Sequence, residues 1–331
     1  MGMGTFQDAV HSCSLTSKVS LLHGRIPTCI NIINGESYCM TSSRRVMFIL
    51  GCLSVLFMAQ SAQAMADWNK VWDGPVGTVV GSANSGLYVT RQDTGDIYMY
   101  RGGEDWEKIG GPAKKFIAND DGLFGLSPDG QGIWHFAGWQ VTIDKAGDWT
   151  QIGGPASAIY GGGHVLLATN PDTGDLYLYT GTPMRWLKIG GPGKDFAVIN
   201  SDNIVGLSPD SKGIWLYEGP WIQIGGPAKE IYSSTTSKGL YATNPETGDI
   251  YAYDFSEKEW TRIGGPGKMF AATADNLNLY GLSNDGSIIW KYMGVPDDWE
   301  QIGGPAAEIY ACGNSLYHIS PVQRNLLHYI A

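Results

Sequence analysis

The sequence predicts an all-β protein, a seven-bladed β-propeller whose four-stranded blades of about 38 residues are closed by pairing N- and C-terminal strands in one blade. Two observations carry this expectation. First, an aromatic residue, a few polar residues and then Ile-Gly-Gly-Pro recur at 106–112, 149–155, 186–192, 221–227, 260–266 and 299–305, with a weaker copy at 68–75. Second, the series has complementary ends. Residues 326–329 read as a third strand lacking a fourth, and residues 67–71 read as a fourth strand lacking the first three. Joining them completes a seventh blade and removes the free edges that an open solenoid would keep.

Within one repeat, residues 228–232, 239–243, 249–253 and 260–263 are short runs rich in β-branched and aromatic residues. Clusters of Gly, Pro, Asn and Asp separate them, which is the pattern of four strands joined by tight turns. In the third run Tyr251 and Tyr253 fall on one face, Ile250 and Ala252 on the other. The same place holds Tyr98 and Tyr100, Trp134 and Phe136, Tyr177 and Tyr179, Trp215 and Tyr217, and Trp290 and Tyr292. Two apolar faces mean that neighbours cover the sheet on both sides. No stretch of ten or more residues shows helical periodicity. The Gly-Gly-Pro phrase lacks a following helix and a Gly-Lys-Ser/Thr ending, so it is not read as a phosphate loop. Its glycines are expected to allow a tight descent to the next inner strand, and its proline to stop the outer strand.

The repeats alternate. Those after Pro75, Pro155 and Pro227 carry turns ending in Thr-Gly-Asp, at 92–96, 170–175 and 244–249. Those between carry Gly-Leu-Ser-Pro/Asn-Asp, at 125–129, 206–210 and 281–285. Alternation suggests duplication of a two-blade unit, with ligand sites in sets of about three.

Upstream, Arg44-Arg45 precedes the apolar run 46–58, which ends in small residues up to Ala64. This reads as a signal peptide over 40–64, cleaved near Ala64, and the run is too short to span a membrane. Cys52 lies inside the run, so a lipoprotein cleavage box is set aside. Met40 is expected to be the true start, residues 1–39 a non-translated upstream extension, and residues 65–331 the propeller, secreted or periplasmic. The net charge is −10. Residues 1–64 carry Lys18, Arg25, Arg44 and Arg45 against Asp8 and Glu36, so the remainder is more acidic still. Such a surface is a poor partner for nucleic acid. Four of the five cysteines precede residue 65, leaving Cys312 without an internal partner.

Repeats of the form Trp-x-x-Ile-x-Gly, followed by a small-residue loop, an apolar strand and Gly-Leu-Tyr or Gly-Ile-Trp, resemble tectonin-type β-propeller lectins over residues 66–331. That resemblance implies a secreted, multivalent protein that binds glycans or envelope polysaccharide. A protein-interaction scaffold using one rim, or a propeller glycosidase or lyase, are the alternatives.

The strand-four tryptophans recur in every complete repeat and read as packing. Trp134, Trp215 and Trp290 occur in one blade type only, and an edge of these in a groove between blades is the first expectation for a stacked sugar. Trp139, on an irregular insertion at 138–145, is a further candidate, with loop packing as the alternative. Alternating connections place the Gly-Gly-Pro loops and the Thr-Gly-Asp turns on one rim, where Asp93, Asp172 and Glu246 sit near Lys114, Lys194, Lys229 and Lys268. The turns read first as hairpin chemistry: Pro pre-sets φ, Asp caps, Gly supplies positive φ. Calcium at Asp96, Asp175 and Asp249 is the weaker alternative, since alternating oxygen ligands and a closing Glu are missing. His135, His164, His318 and His328 show no metal spacing, and no Gly-x-Ser-x-Gly elbow occurs, so no cofactor or catalytic residue is expected.

Overall fold

The computed structural model describes residues 29–32, 36–39, 67–136, 148–200, 203–234, 239–274 and 278–330. It divides into two units, Met1–Gln63 and Ala64–Ala331. In the first, Cys29–Ile32 and Glu36–Cys39 pair antiparallel, with Cys29 opposite Cys39. The expected signal peptide and Trp139 lie outside the described residues.

The second unit is a ring of seven four-stranded antiparallel sheets. Blades 1 to 6 occupy residues 76–110, 115–153, 158–190, 195–225, 231–264 and 269–303. Blade 7 takes its first three strands from residues 308–330, and its fourth is Asp67–Trp72. There Asp67 lies opposite Ile330 and Trp68 opposite Tyr329. The closure expected from the sequence is therefore present, strand for strand. Among the described residues no helix is long and apolar enough to cross a membrane.

The core lies between blades. Leu207 and Ile214 of blade 4 share a buried cluster with Ile231 and Leu240 of blade 5, and Leu167 and Leu176 of blade 3 share one with Phe196 and Ile204 of blade 4. Similar clusters join every other neighbouring pair, including blades 7 and 1. Second strands such as Val165–Thr169 and Ile204–Leu207 are buried along their whole length, as sandwiched sheets require.

The repeated phrase encodes a clasp between blades. Within each blade the ladder between strands three and four slips by one residue, leaving a single strand-four residue unpaired. These are Ile109, Ile152, Ile189, Ile224, Ile263, Ile302 and, in blade 7, Val71. Such a bulge turns a carbonyl out of the ladder. The indole Nε1–H of the next blade's strand-four tryptophan donates to each of these carbonyls. Trp149 donates to Ile109 at 2.8 Å and Trp221 to Ile189 at 2.7 Å. The series runs through Trp186, Trp260 and Trp299, and Trp68 and Trp106 carry it across the joint at 3.2 and 2.8 Å. Inside each blade the same indole packs at about 45° on the strand-three aromatic, as Trp221 does on Tyr217 at 5.2 Å.

This clasp corrects the reason for the Gly-Gly pair. A Cβ on Gly190 would stand 2.9 Å from Trp221 Nε1, and one on Gly225 2.9 Å from Trp260 Nε1. The first glycine therefore clears the neighbouring indole, whereas the second meets nothing within 4 Å at Gly111, Gly154, Gly191, Gly226 and Gly265, and only Gly304 faces the backbone of Ser287.

Candidate functional site: three equivalent hollows

Across the four strands of each even blade, one row of residues faces the same way. It reads Phe116, Gly125, Trp134 and Gln151 in blade 2, and Phe196, Gly206, Trp215 and Gln223 in blade 4. In blade 6 it reads Phe270, Gly281, Trp290 and Gln301. The corresponding rows of blades 1, 3 and 5 are Val79, Val89, Tyr98 and Lys108; Ile159, Ala168, Tyr177 and Lys188; and Ile231, Ala242, Tyr251 and Arg262. The swap is one of shape. A glycine in strand two admits the larger Phe ring, whose edge would lie 3.0 Å from a Cβ on Gly206.

Each even row floors a hollow on the rim that carries the Gly-Gly-Pro loops. The blade 2 hollow, about 190 Å³, is bounded by Pro112, Phe116, Gly125, Ser127, Trp134 and Trp149. That of blade 4, about 210 Å³, repeats this set as Pro192, Phe196, Gly206, Ser208, Trp215 and Trp221. Blade 6 repeats it again as Pro266, Phe270, Gly281, Ser283, Trp290 and Trp299, and its hollow reaches about 700 Å³. Trp134 is 36% exposed and Trp215 and Trp290 are half-buried. Their indole N–H groups make no hydrogen bond among the described residues, whereas the seven clasp indoles are all engaged.

Polar groups around the hollows satisfy one another locally. Ser208 Oγ donates to Asp210 at 2.7 Å and accepts from Gly213 N–H, and Ser127 and Ser283 do the same with Asp129 and Asp285. These bonds hold the three carboxyls below the ordinary range; Asp285, with Ser287 as an extra donor, falls to about 2.

The structure thus gathers Trp134, Trp215 and Trp290 into equivalent hollows and leaves the other described candidates outside the linings. Asp93 accepts a two-point contact from Arg91, at 2.7 and 3.1 Å. Asp172 and Glu246 sit at exposed turn tips whose cap is supplied by Asn170 and Asn244, which accept their backbone N–H at 2.8 Å. Asparagine therefore caps these two turns, in place of the expected aspartate, while Gly95, Gly174 and Gly248 supply the positive φ of 71°, 74° and 76°. Asp96, Asp175 and Asp249 are paired with Lys108 at 2.7 Å, Lys188 at 2.7 Å and Arg262 at 3.1 Å, and those cations lower their pKa values. Among the described residues no group of His, Cys, Asp or Glu is arranged to hold a metal ion. Nor are all the rim lysines free, since Lys194 reaches Ser211 and the Lys229 carbonyl, and Lys268 reaches the Ala307 carbonyl.

A further cavity of about 230 Å³ follows the ring axis and is lined by small residues including Gly81, Ala118, Gly161 and Ala311, with no ionisable side chain among the described residues. Carboxylates stand instead at the starts of inner strands. Glu230 accepts from the Tyr232 hydroxyl, Glu308 from the Tyr310 hydroxyl and Arg324, and burial raises the Asp195 carboxyl.

Sequence reasoning missed the phenylalanine, the strand-two glycine and the edge of the strand-four indole as parts of one lining. Their signal was the blade-type difference itself: Phe then Gly-Leu-Ser in even blades, where odd blades 3 and 5 have Ile then Ala-Thr.

No family model matches this chain, and no curated protein matches it. Solved structures do. The extracellular domain of a one-component system from B. thetaiotaomicron aligns at 10% identity and TM-score 0.54, over 80% of this chain and 40% of that one. The chain thus spans about two fifths of that relative's length. YCF48 from Cyanidioschyzon merolae aligns at 12% and 0.53, over 80% and 98%, and a structure of YCF48 bound to D1 peptide aligns at 13% and 0.53, over 81% and 97%. A catalytically inactive virginiamycin B lyase from Staphylococcus aureus, solved with quinupristin, aligns at 13% and 0.58, over 80% and 99%. At these identities the likeness is one of fold, and the chain shares the β-propeller with proteins of several activities.

Proposed function

We propose that this is an exported, non-catalytic propeller that binds neutral glycans in the three even-blade hollows. One observation carries the reading: the same lining of two tryptophans, a phenylalanine, a proline and a glycine occurs three times, with a strand-three indole half-exposed in each. An aromatic face stacks on the apolar face of a sugar ring, while a free indole N–H can donate to a hydroxyl. Weak sites repeated around a ring gain avidity for polymeric or surface-displayed glycan without any new contact. Among the described residues the hollows of blades 2 and 4 are lined without a carboxylate, histidine or cysteine, which favours binding over chemistry.

The test is a broad glycan array with the purified protein, compared with the triple variant Trp134→Ala, Trp215→Ala and Trp290→Ala. Binding by the parent and its loss in a variant with unchanged circular dichroism supports the reading. No binding by the parent, or equal binding by both, overturns it. One feature favours a protein partner instead: the outer strands of blades 3 and 4 expose Leu187 and Ile222 at equivalent positions, 56% and 47% accessible. A stoichiometric protein complex that survives the triple variant but not Leu187→Ser with Ile222→Ser would establish that second reading.

A further inference from the structure

The hollows of blades 4 and 6 share a floor but not an outer wall. In blade 4 the link from strand three to strand four is three residues, 218–220, and among the described residues no hydrogen bond or ion pair joins it to blade 3. In blade 6 the link is longer, residues 293–298, and folds across the groove onto blade 5. Asp297 N–H donates to the Ile263 carbonyl at 3.0 Å, and its carboxylate receives Arg262 Nη1 at 2.6 Å. Asp297 joins the lining, and Asn284 stands where the other two hollows have Pro128 and Pro209. The result is a trough of about 700 Å³ against about 190 and 210 Å³. That volume falls within the range of sites that enclose a whole small ligand, roughly 300–1,000 Å³, and the other two fall below it.

We infer that the blade 6 trough holds at least two consecutive units of a neutral glycan chain, whereas the blade 4 hollow holds one. The first unit lies over Gly281 against Trp290, and the next meets the Arg262–Asp297 pair. Side by side, a guanidinium and a carboxylate offer donors and acceptors together, which suits the hydroxyls of a sugar, each both donor and acceptor. The charge on the wall selects against anions. Asp285, held ionised by the hydroxyls of Ser283 and Ser287, lines the trough, and Asp297 and Asp249 share one arginine. A uronate or phosphorylated sugar would enter a field of like sign.

This inference rests on the glycan reading above, and its test separates the two. The purified protein is titrated calorimetrically with β-1,4-linked glucose, β-1,4-linked N-acetylglucosamine and α-linked mannose, each from one to three units. The expected result, in the series that binds, is one site per ring that gains tenfold or more in affinity from one unit to two, beside weaker sites that gain none. Asp297→Asn, on an exposed loop, should remove most of that gain. Trp290→Ala should abolish the tight site, and Trp215→Ala should leave it intact. Three equal sites with no gain on lengthening, or a gain untouched by Asp297→Asn, overturns the trough while sparing the glycan reading. Absence of binding in all three series overturns the inference, and a blank array with it overturns the reading as well.

Discussion

His318 makes the closure of the ring sensitive to acid. It occupies the strand-two row position of blade 7, opposite Ile309 and Leu327, where blades 1, 3 and 5 have Val89, Ala168 and Ala242. Its ring lies 4.4 Å from that of Trp68, the residue that clasps the N-terminal strand to blade 6. Both ring nitrogens are buried with no hydrogen-bond partner among the described residues, and burial lowers the pKa from 6.5 to about 4. The folded state therefore binds fewer protons than the unfolded chain between those values. Stability is full above about pH 6.5, falls as the pH drops, and levels off below about 4. Each pKa unit is worth about 1.4 kcal/mol, so the loss approaches ~3 kcal/mol near pH 4 and is ~2 kcal/mol between pH 7.5 and 5.0. Urea unfolding at those two pH values should show that fall in the parent. His318→Val, which restores the odd-blade residue type, should lack it apart from the background of the other titrating groups. His328, half-buried and shifted down by burial, contributes in the same direction, and His164, raised by Asp121, in the opposite one. Both are present in parent and variant, so the difference between the two isolates His318. An equal fall in both would refute the reasoning.

The clasp predicts further outcomes. Trp221→Phe keeps the packing on Tyr217 but strands the Ile189 carbonyl, and should cost about 1–3 kcal/mol in urea unfolding. Gly225→Ala puts a Cβ 2.9 Å from Trp260 Nε1 and should cost about 1–3 kcal/mol, whereas Gly226→Ala, with nothing within 4 Å, should be nearly neutral by the same measurement. Because Lys108, Lys188 and Arg262 already occupy Asp96, Asp175 and Asp249, added calcium or chelator should leave both the Tm and array binding unchanged. A calcium-dependent rise in Tm would return those turns to the metal reading.

The fold was legible because the chain repeats its own long-range contacts. Trp-x-x-Ile-Gly-Gly spells out donor, bulged acceptor and the gap that admits the next indole, so one contact between blades leaves its mark inside a single short phrase. The closing strand was legible for the same reason, since residues 67–71 carry the phrase without a blade of their own. What the phrase does not carry is direction. Nothing local says that the first glycine serves the following blade, or that Asn170 caps the turn on which Asp172 merely rides. The hollows were half legible. Trp134, Trp215 and Trp290 stand out by blade type, but the Phe, Gly and Gln beside each belong to three other strands, and only the ladder register aligns them in one row. Trp139, singled out for its irregular loop, falls outside the described residues.

The alternation of blades has a physical basis in how each type disposes of its polar groups. In blades 1, 3 and 5 the residue before strand three is Asp96, Asp175 or Asp249, and strand four answers with Lys108, Lys188 or Arg262, so an ion pair lies across the row beside the tyrosine. In the even blades that position is Gly132, Gly213 or Ile288, and strand four carries glutamine. The Gln151 and Gln223 amides turn back to the carbonyls of Gly153 and Gly225, and the turn carboxylates bind their own serines. With no cation to pair and no side chain at Gly132 or Gly213 to exclude it, the indole lies within 2.9 Å of the space a Cβ would take. Its face then has only the hollow to meet. Exposed ion pairs of the odd type contribute little to stability, so their loss in even blades costs little. A two-blade unit can therefore keep one member closed and leave the other open, and three copies of the unit place three open faces on one rim.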